Sequence, residues 1–289
     1  MSRWRTLAPG QISQVCLFDV STRERTVVFE TGEILLEAPN WRSTPDELVL
    51  NGDGRLWALP LDSAELRPVP GDVTDANNDH VLHPDGHRIF ISTAAGDLVA
   101  LDLETGQTEP LTQSSKDGLH YFLHGITPDG TTATFVAKDP ETRGYEVYAR
   151  DVTARQNRRL TTTGRHHDGA EPTPDGTRIV FNSEREAGVP GHAQLYSMAL
   201  DGSDVQRLTD DERVNWFPHP SPDGEHLVFL SYEPGVEGHP ADKPVQLRLW
   251  RPDGQHEVLH EMNGGQGTIN VPSWSSDSRR FAFVEYPTQ

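Results

Sequence analysis

The sequence predicts an all-β chain: a six-bladed β-propeller with four antiparallel strands per blade. Three observations predict it. A Pro-Asp turn string recurs along the whole chain, strand-like runs follow each copy, and no segment carries three turns of amphipathic helix. The copies are TPDE at 44–47, HPDG at 83–86, TPDG at 127–130, TPDG at 173–176 and SPDG at 221–224, with a degenerate SSDS at 275–278. The turn prolines are 39, 44, 46 and 48 residues apart, and 54 more residues lead to Ser276. Pro presets φ and Gly tolerates positive φ, so these strings are tight turns. A four-stranded unit repeating every 40–50 residues or so is the arithmetic of a propeller blade.

Each turn is followed by a β-branched and aromatic run: ELVLN (47–51), RIFIS (88–92), TATFVA (132–137), RIVFNS (178–183), HLVFLS (226–231) and RFAFVEY (280–286). These read as strands. A further strand follows in RLWALPLD (55–62), DLVALDL (97–103), YEVYARD (145–151), QLYSMALD (194–201) and VQLRLW (245–250). Another follows a polar turn, as in GQTEPLT (106–112) and SDVQRLT (203–209). With the segment before each turn, every repeat holds four strands. One domain over 1–289 is expected, with blades near 34–70, 76–112, 119–161, 166–209, 214–261 and 266–289. The sixth repeat stops after its second strand. QVCLFDVS (14–21) and RTVVFET (25–31) supply the missing two, so residues 12–31 should close the last blade and leave few open sheet edges.

Composition bounds the function. The 289 residues hold 25 Lys and Arg against 44 Asp and Glu, a formal net charge of −19. Such a surface repels phosphate backbones, so nucleic acid is not an expected partner. No apolar run is long enough to span a membrane. The two N-terminal arginines precede no apolar core of a signal peptide, and the expected compartment is the cytoplasm. Cys16 is the only cysteine. It excludes an intrachain disulfide and cysteine-based metal sites, and it reads as a small core residue.

The PDG turns, the third strands of the YSMALDG type and the fourth strands ending in RLT resemble the TolB-like six-bladed propellers over nearly the whole chain. The resemblance implies the fold. TolB itself is a periplasmic protein with an extra N-terminal domain in a cell-envelope complex, and this sequence shows neither that domain nor a leader. Oligogalacturonate lyase, a related propeller, holds a divalent metal through imidazoles at its axis. Its closely spaced Gln and paired-His metal motif is not found here. Peptidase propellers are also related, but this chain has no G-x-S-x-G elbow.

In a propeller the first strand of each blade lines the central channel. Here those segments are rich in His, Asn, Asp, Gln and aromatics, where a structural strand favours Val, Ile and Thr. They contain Asn40-Trp41, Asn77-Asn78-Asp79-His80, His120-Tyr121-Phe122-Leu123-His124, His166-His167-Asp168-Gly169-Ala170-Glu171, Asn215-Trp216-Phe217-Pro218-His219 and Gln266-Gly267-Thr268-Ile269-Asn270. His80 and His124 both lie four residues before a turn proline, and His219 lies three before its own. A bulge or a change of depth is therefore needed to bring the three together.

The sharp expectation is a divalent metal (manganese, calcium or zinc) held by His80, His124 and His219, with Asp79, Asp168 or Gln266 nearby. The bland one is a wet wall whose polar groups satisfy each other and ordered water. Asn40, Asn78, Asn215, Gln266 and Asn270 suit hydroxyl recognition, and Trp41 and Trp216 suit stacking on a sugar face. His124, Tyr121 and Asp168 are the candidate proton movers, and Asp168 with Glu171 an acid–base pair. The insert 232–244 reads as a lid or a passive loop. The expected ligand is a small sugar or sugar acid, with lyase, hydrolase or isomerase chemistry. The alternative is a non-catalytic protein-interaction scaffold, which predicts apolar rim patches.

Overall fold

The computed structural model describes residues 4–288. Residues 1–3 and 289, the ends of the expected domain, lie outside the described residues. Six antiparallel sheets follow one another around an axis. Blade 1 runs Glu37–Ser43, Asp46–Gly52, Arg55–Pro60 and Arg67–Pro68 from channel to rim. Blade 2 is Ala76–Leu82, Arg88–Thr93, Leu98–Asp102 and Thr108–Pro110. Blade 3 is Tyr121–Ile126, Thr132–Lys138, Tyr145–Asp151 and Gln156–Arg159. Blade 4 is His167–Pro172, Arg178–Ser183, Gln194–Ala199 and Gln206–Arg207. Blade 5 is Val214–Pro220, Leu227–Tyr232, Lys243–Trp250 and His256–Gly264. One short helix, Ser114–Asp117, interrupts the pattern among the described residues.

Blade 6 closes the ring with both ends of the chain. Arg280–Glu285 pairs with Ser13–Asp19, which pairs with Glu24–Thr31. Cys16 lies opposite Phe283 and is fully buried; burial pushes its thiol up to about 11, so the group is inert. The innermost segment of this blade forms no ladder. It is held by the bridge Trp274–Phe281 and by two bonds, Ala282 N–H to Ser273 O (2.9 Å) and Val284 N–H to Thr268 O (3.0 Å). The Asn270 side chain takes the Gly267 N–H (2.8 Å), and Pro272 has no donor, so the backbone there cannot run as a regular strand.

The turn motif explains its own recurrence. In 127–130 the Thr127 hydroxyl donates to Asp129 (2.6 Å) and accepts the Thr132 N–H (3.0 Å). Thr173, Ser221 and Ser275 repeat this with Asp175, Asp223 and Asp277. In blade 2 a His83 ring nitrogen replaces the hydroxyl, accepting the Asp85 N–H (3.2 Å). The glycine that ends the turn has φ near +70° at Gly130 and Gly176, a conformation that disfavours other residues. Between blades the core is aromatic and aliphatic. Trp216, Phe217, Phe281 and Phe283 fill the blade 5–6 seam, and Tyr121, Phe135 and Phe90 fill the blade 2–3 seam.

Candidate functional site

The innermost strands of blades 1 to 5 each carry a β-bulge. The breaks fall at Glu37/Asn40, Ala76/His80, Leu123/Gly125, Asp168/Glu171 and Trp216/His219. A bulge frees a residue from the ladder and re-aims side chains. This is why the channel segments tolerate polar residues and why counting from the turn fails to give their direction. His124 is the bulged residue itself, whereas His80 lies beyond its bulge, paired with Ile91.

The bulges divide the channel into two ends. At the end away from the Pro-Asp turns lies a cavity of about 220 Å³. Asn77, Asn78, Asp79, His124, Asp168 and Asn270 line it, together with Gln266, His166 and His239. Phe122, Tyr145 and Phe217 supply its apolar walls. At the turn end, Asn40, Trp41, Glu171 and Trp274 border a second hollow among the turn prolines.

The first cavity holds a tight imidazole–carboxylate pair. His124 Nε2 is 2.5 Å from Asp168 Oδ1, and both residues are buried. Burial opposes the Asp168 charge, but the His124 imidazolium outweighs it and holds the carboxyl well below its usual range. Burial likewise opposes the His124 charge, and Asp168 and then Asp79 raise the imidazole above its ordinary value. Both His124 ring nitrogens are shielded from solvent and make no hydrogen bond of ordinary geometry among the described residues, so the Asp168 contact is an ion pair and Nδ1 is not engaged by the protein. Asp79 is the counterpart: burial, reinforced by the Asp168 charge and opposed by His124, lifts its carboxyl to about 7. The cavity therefore holds an ion pair beside a carboxyl poised near neutrality.

His239 enters from the insert 232–244. Its Nδ1 meets Gln266 Oε1, its Nε2 lies 3.5 Å from Asp168 Oδ2, and its ring packs on Trp216 and Phe217. The insert is tied down beside the cavity. Pro240 O accepts from the Tyr232 hydroxyl (3.0 Å), and Asp242 accepts from Gln11 (2.6 Å) and Arg5 (3.4 Å). Arg5 also reaches Glu37 (3.0 Å) and lies over the Tyr286 ring. His239 was not legible as a site residue, because nothing in a loop sequence fixes where its side chain points.

Of the expected site residues, His124, Asp168, Asn78, Gln266 and Asn270 come together here. Others do not. Asn40 and Trp41 face the turn end; Asn40 cross-links blades 1, 2 and 6 through Pro272 O and the Leu82 N–H. Asp168 and Glu171 do not pair with each other, because the bulge between them sends them to opposite ends. Glu171 instead meets His219 Nδ1 at 2.6 Å, and His219 Nε2 meets Ile269 O. Tyr121 sits in the blade 3 core, its hydroxyl bonded to Asp117 and Asn157, and does not reach the channel. Asn215 is fully buried and bonded within blades 4 and 5. Trp216 is core, and it backs the rings of His166 and His239.

The expected triad of His80, His124 and His219 is not one site. His80 is fully buried with both ring nitrogens unpartnered, and burial depresses its imidazole to about 3. His124 and His219 are each engaged by a different carboxylate. Among the described residues no three His, Cys, Asp or Glu groups are arranged to hold a metal ion. The residues present do not fit a resident divalent metal.

A closed ring of six antiparallel sheets, five of four strands and one of three, around a polar axial cavity defines a six-bladed β-propeller. Residues 97–245 match the TolB β-propeller domain family. The chain is 38% identical over 280 residues to an uncharacterised protein of Agrobacterium fabrum, covering 95% of this chain and 92% of that one. It superposes on a solved TolB-type structure from Agrobacterium tumefaciens with a TM-score of 0.89 at 36% identity, covering 96% and 99% of the two chains. Oligogalacturonate lyase from Vibrio parahaemolyticus shares the fold, with a TM-score of 0.61 at 13% identity over 93% of this chain and 77% of that one. The chain belongs to the TolB β-propeller family.

Proposed function

We propose that this propeller binds a small hydroxylated ligand, a sugar or sugar acid of one ring, in the cavity around His124 and Asp168, and moves a proton on it. The observation that carries the reading is the buried His124–Asp168 pair beside the Asp79 carboxyl, which titrates near 7. The cavity, at about 220 Å³, is below the ~300–1,000 Å³ typical of drug-sized ligands, so it suits a single ring. Asn77, Asn78, Gln266 and Asn270 offer amide donors and acceptors for hydroxyls. Phe122, Tyr145 and Phe217 offer apolar surface for the ring face.

The chemistry follows from the charges. Asp168 orients His124 and keeps it charged, so Nδ1–H acts as the acid toward a ligand oxygen. Asp79, titrating near 7, takes or returns a proton from the other side. No step uses a metal. A scaffold reading gains little support: the exposed large apolar side chains among the described residues are Val27, Val189 and Val258, too few for an interface core.

The test is calorimetric titration of wild type with D-galacturonate and D-glucose, repeated with Asn78→Ala and His124→Gln. Saturable binding to one of the two probes, weakened about tenfold or more in both variants with cooperative melting retained, supports the reading. Binding that survives both changes, or no binding of either probe to wild type, overturns it.

A further inference from the structure

At the rim, between blades 2 and 3, a separate cleft of about 330 Å³ is lined by Gln113, Lys116, Asp117, Arg150, Arg155 and Asn157, among others. Arg150 is the unusual member. Only 6% of it is exposed, yet its hydrogen bonds go to neutral oxygens: Asn157 Oδ1 (2.7 Å) and Leu111 O (2.6 Å). The other buried arginines each have a carboxylate. Arg42 pairs with Glu47 at 2.9 Å, and Arg248 with Asp211 at 2.7 Å. A buried guanidinium without a counter-charge is costly, and its five donors are only partly engaged by these two bonds.

The surroundings add positive charge. Lys116 forms no ion pair among the described residues. Arg155 is held by Glu109 at 2.5 Å. The one carboxylate lining the cleft, Asp117, is engaged by the Tyr121 hydroxyl and the Leu119 N–H (3.1 Å). The three cations stand against Asp117, Glu109 and Asp151, so the cleft is near neutral as a whole, and what is unmet is a direct ion-pair partner for Arg150 and Lys116. Burial depresses the Arg150 guanidinium and is only partly offset by Tyr121, Asp117 and Asp151.

We propose that this rim cleft binds the carboxylate group of a small molecule, gripped by Arg150 and approached from the surface by Lys116. The planar fork of a guanidinium suits a carboxylate, and two neighbouring cations without a direct ion-pair partner suit a small anion. This site is independent of the axial cavity.

The probe is sodium acetate, with sodium phosphate and sodium chloride at matched ionic strength, read by thermal shift. Acetate should raise the melting temperature saturably, beyond chloride. Lys116→Ala, whose amine has no protein partner to lose, should weaken the apparent affinity by about fivefold, as for a partly solvated ion pair. Asn157→Asp puts a carboxylate within 2.7 Å of Arg150 Nη1 but removes the Nδ2 donor to Tyr121 and sets that carboxylate beside Asp117; it should abolish the acetate response whatever it does to the melting temperature. An acetate response unchanged in both variants overturns the proposal. So does a wild-type response to phosphate but not to acetate, or to neither. Arg150→Gln is not needed, so a folding failure there cannot blur the result.

Discussion

Asp79→Asn tests, through the pH dependence of stability, whether burial holds this carboxyl protonated in the fold. In the fold the Asp79 carboxyl titrates near 7, against 3.8 for the free side chain. Between pH 4 and 7, roughly, the native state therefore holds a proton that the unfolded chain has released. Stability falls as pH rises through that window and levels off above it, because both states are then ionised. About three units at about 1.4 kcal/mol each set a ceiling of about 4 kcal/mol on the cost at pH 8. Asn does not titrate and keeps the shape. The variant should match wild type near pH 4 and melt higher at pH 8, by roughly 8 °C at the ceiling. Urea or thermal denaturation across this range is the assay. An equal gap at every pH, or a variant less stable than wild type at pH 8, would refute the claim that the native carboxyl is held protonated by burial.

Three further outcomes are expected. Deleting residues 1–31 removes two strands of blade 6 and bares the edge of Arg280–Glu285; the product should aggregate, as light scattering would reveal. Gly169→Ala should cost more than about 1 kcal/mol in chemical denaturation, because φ is +59° and a Cβ would meet Asn182 Oδ1 at 2.9 Å and the Phe217 Cα at 3.1 Å. His239→Ala removes the insert's contact with Gln266 and its packing on Trp216. Stopped-flow binding of the probe sugar should show faster association and dissociation if the insert covers the cavity, and an unchanged rate contradicts a covering role.

How much of this was legible in the sequence depends on what sets each feature. The blades were legible because the turn string records a local hydrogen-bond motif, hydroxyl to aspartate two residues on, that four of the six repeats form for themselves. Closure was legible because Cys16 and Phe18 belong to a strand that lacks a blade within its own repeat. The polar axial wall was legible from composition, and His124, Asp168 and Asn78 follow from it. The directions were not. A one-residue bulge turns His124 into the cavity, while His80, at the same distance from its turn, stays in the ladder. Tyr121 misled for a related reason: three residues before His124 on the same strand, it points into the blade 2–3 seam. Arg150 carried no sequence signal, since its lack of a carboxylate partner exists only after two blades have met.

The most direct test of the axial site is a crystal structure of the protein soaked in D-galacturonate. The account predicts density for the sugar acid between Asn78, His124 and Asp168, with an oxygen within hydrogen-bond distance of His124 Nδ1. Density confined to the hollow at the turn end by Trp41 and Trp274, or an unchanged axial cavity in crystals saturated with the probe, would contradict it.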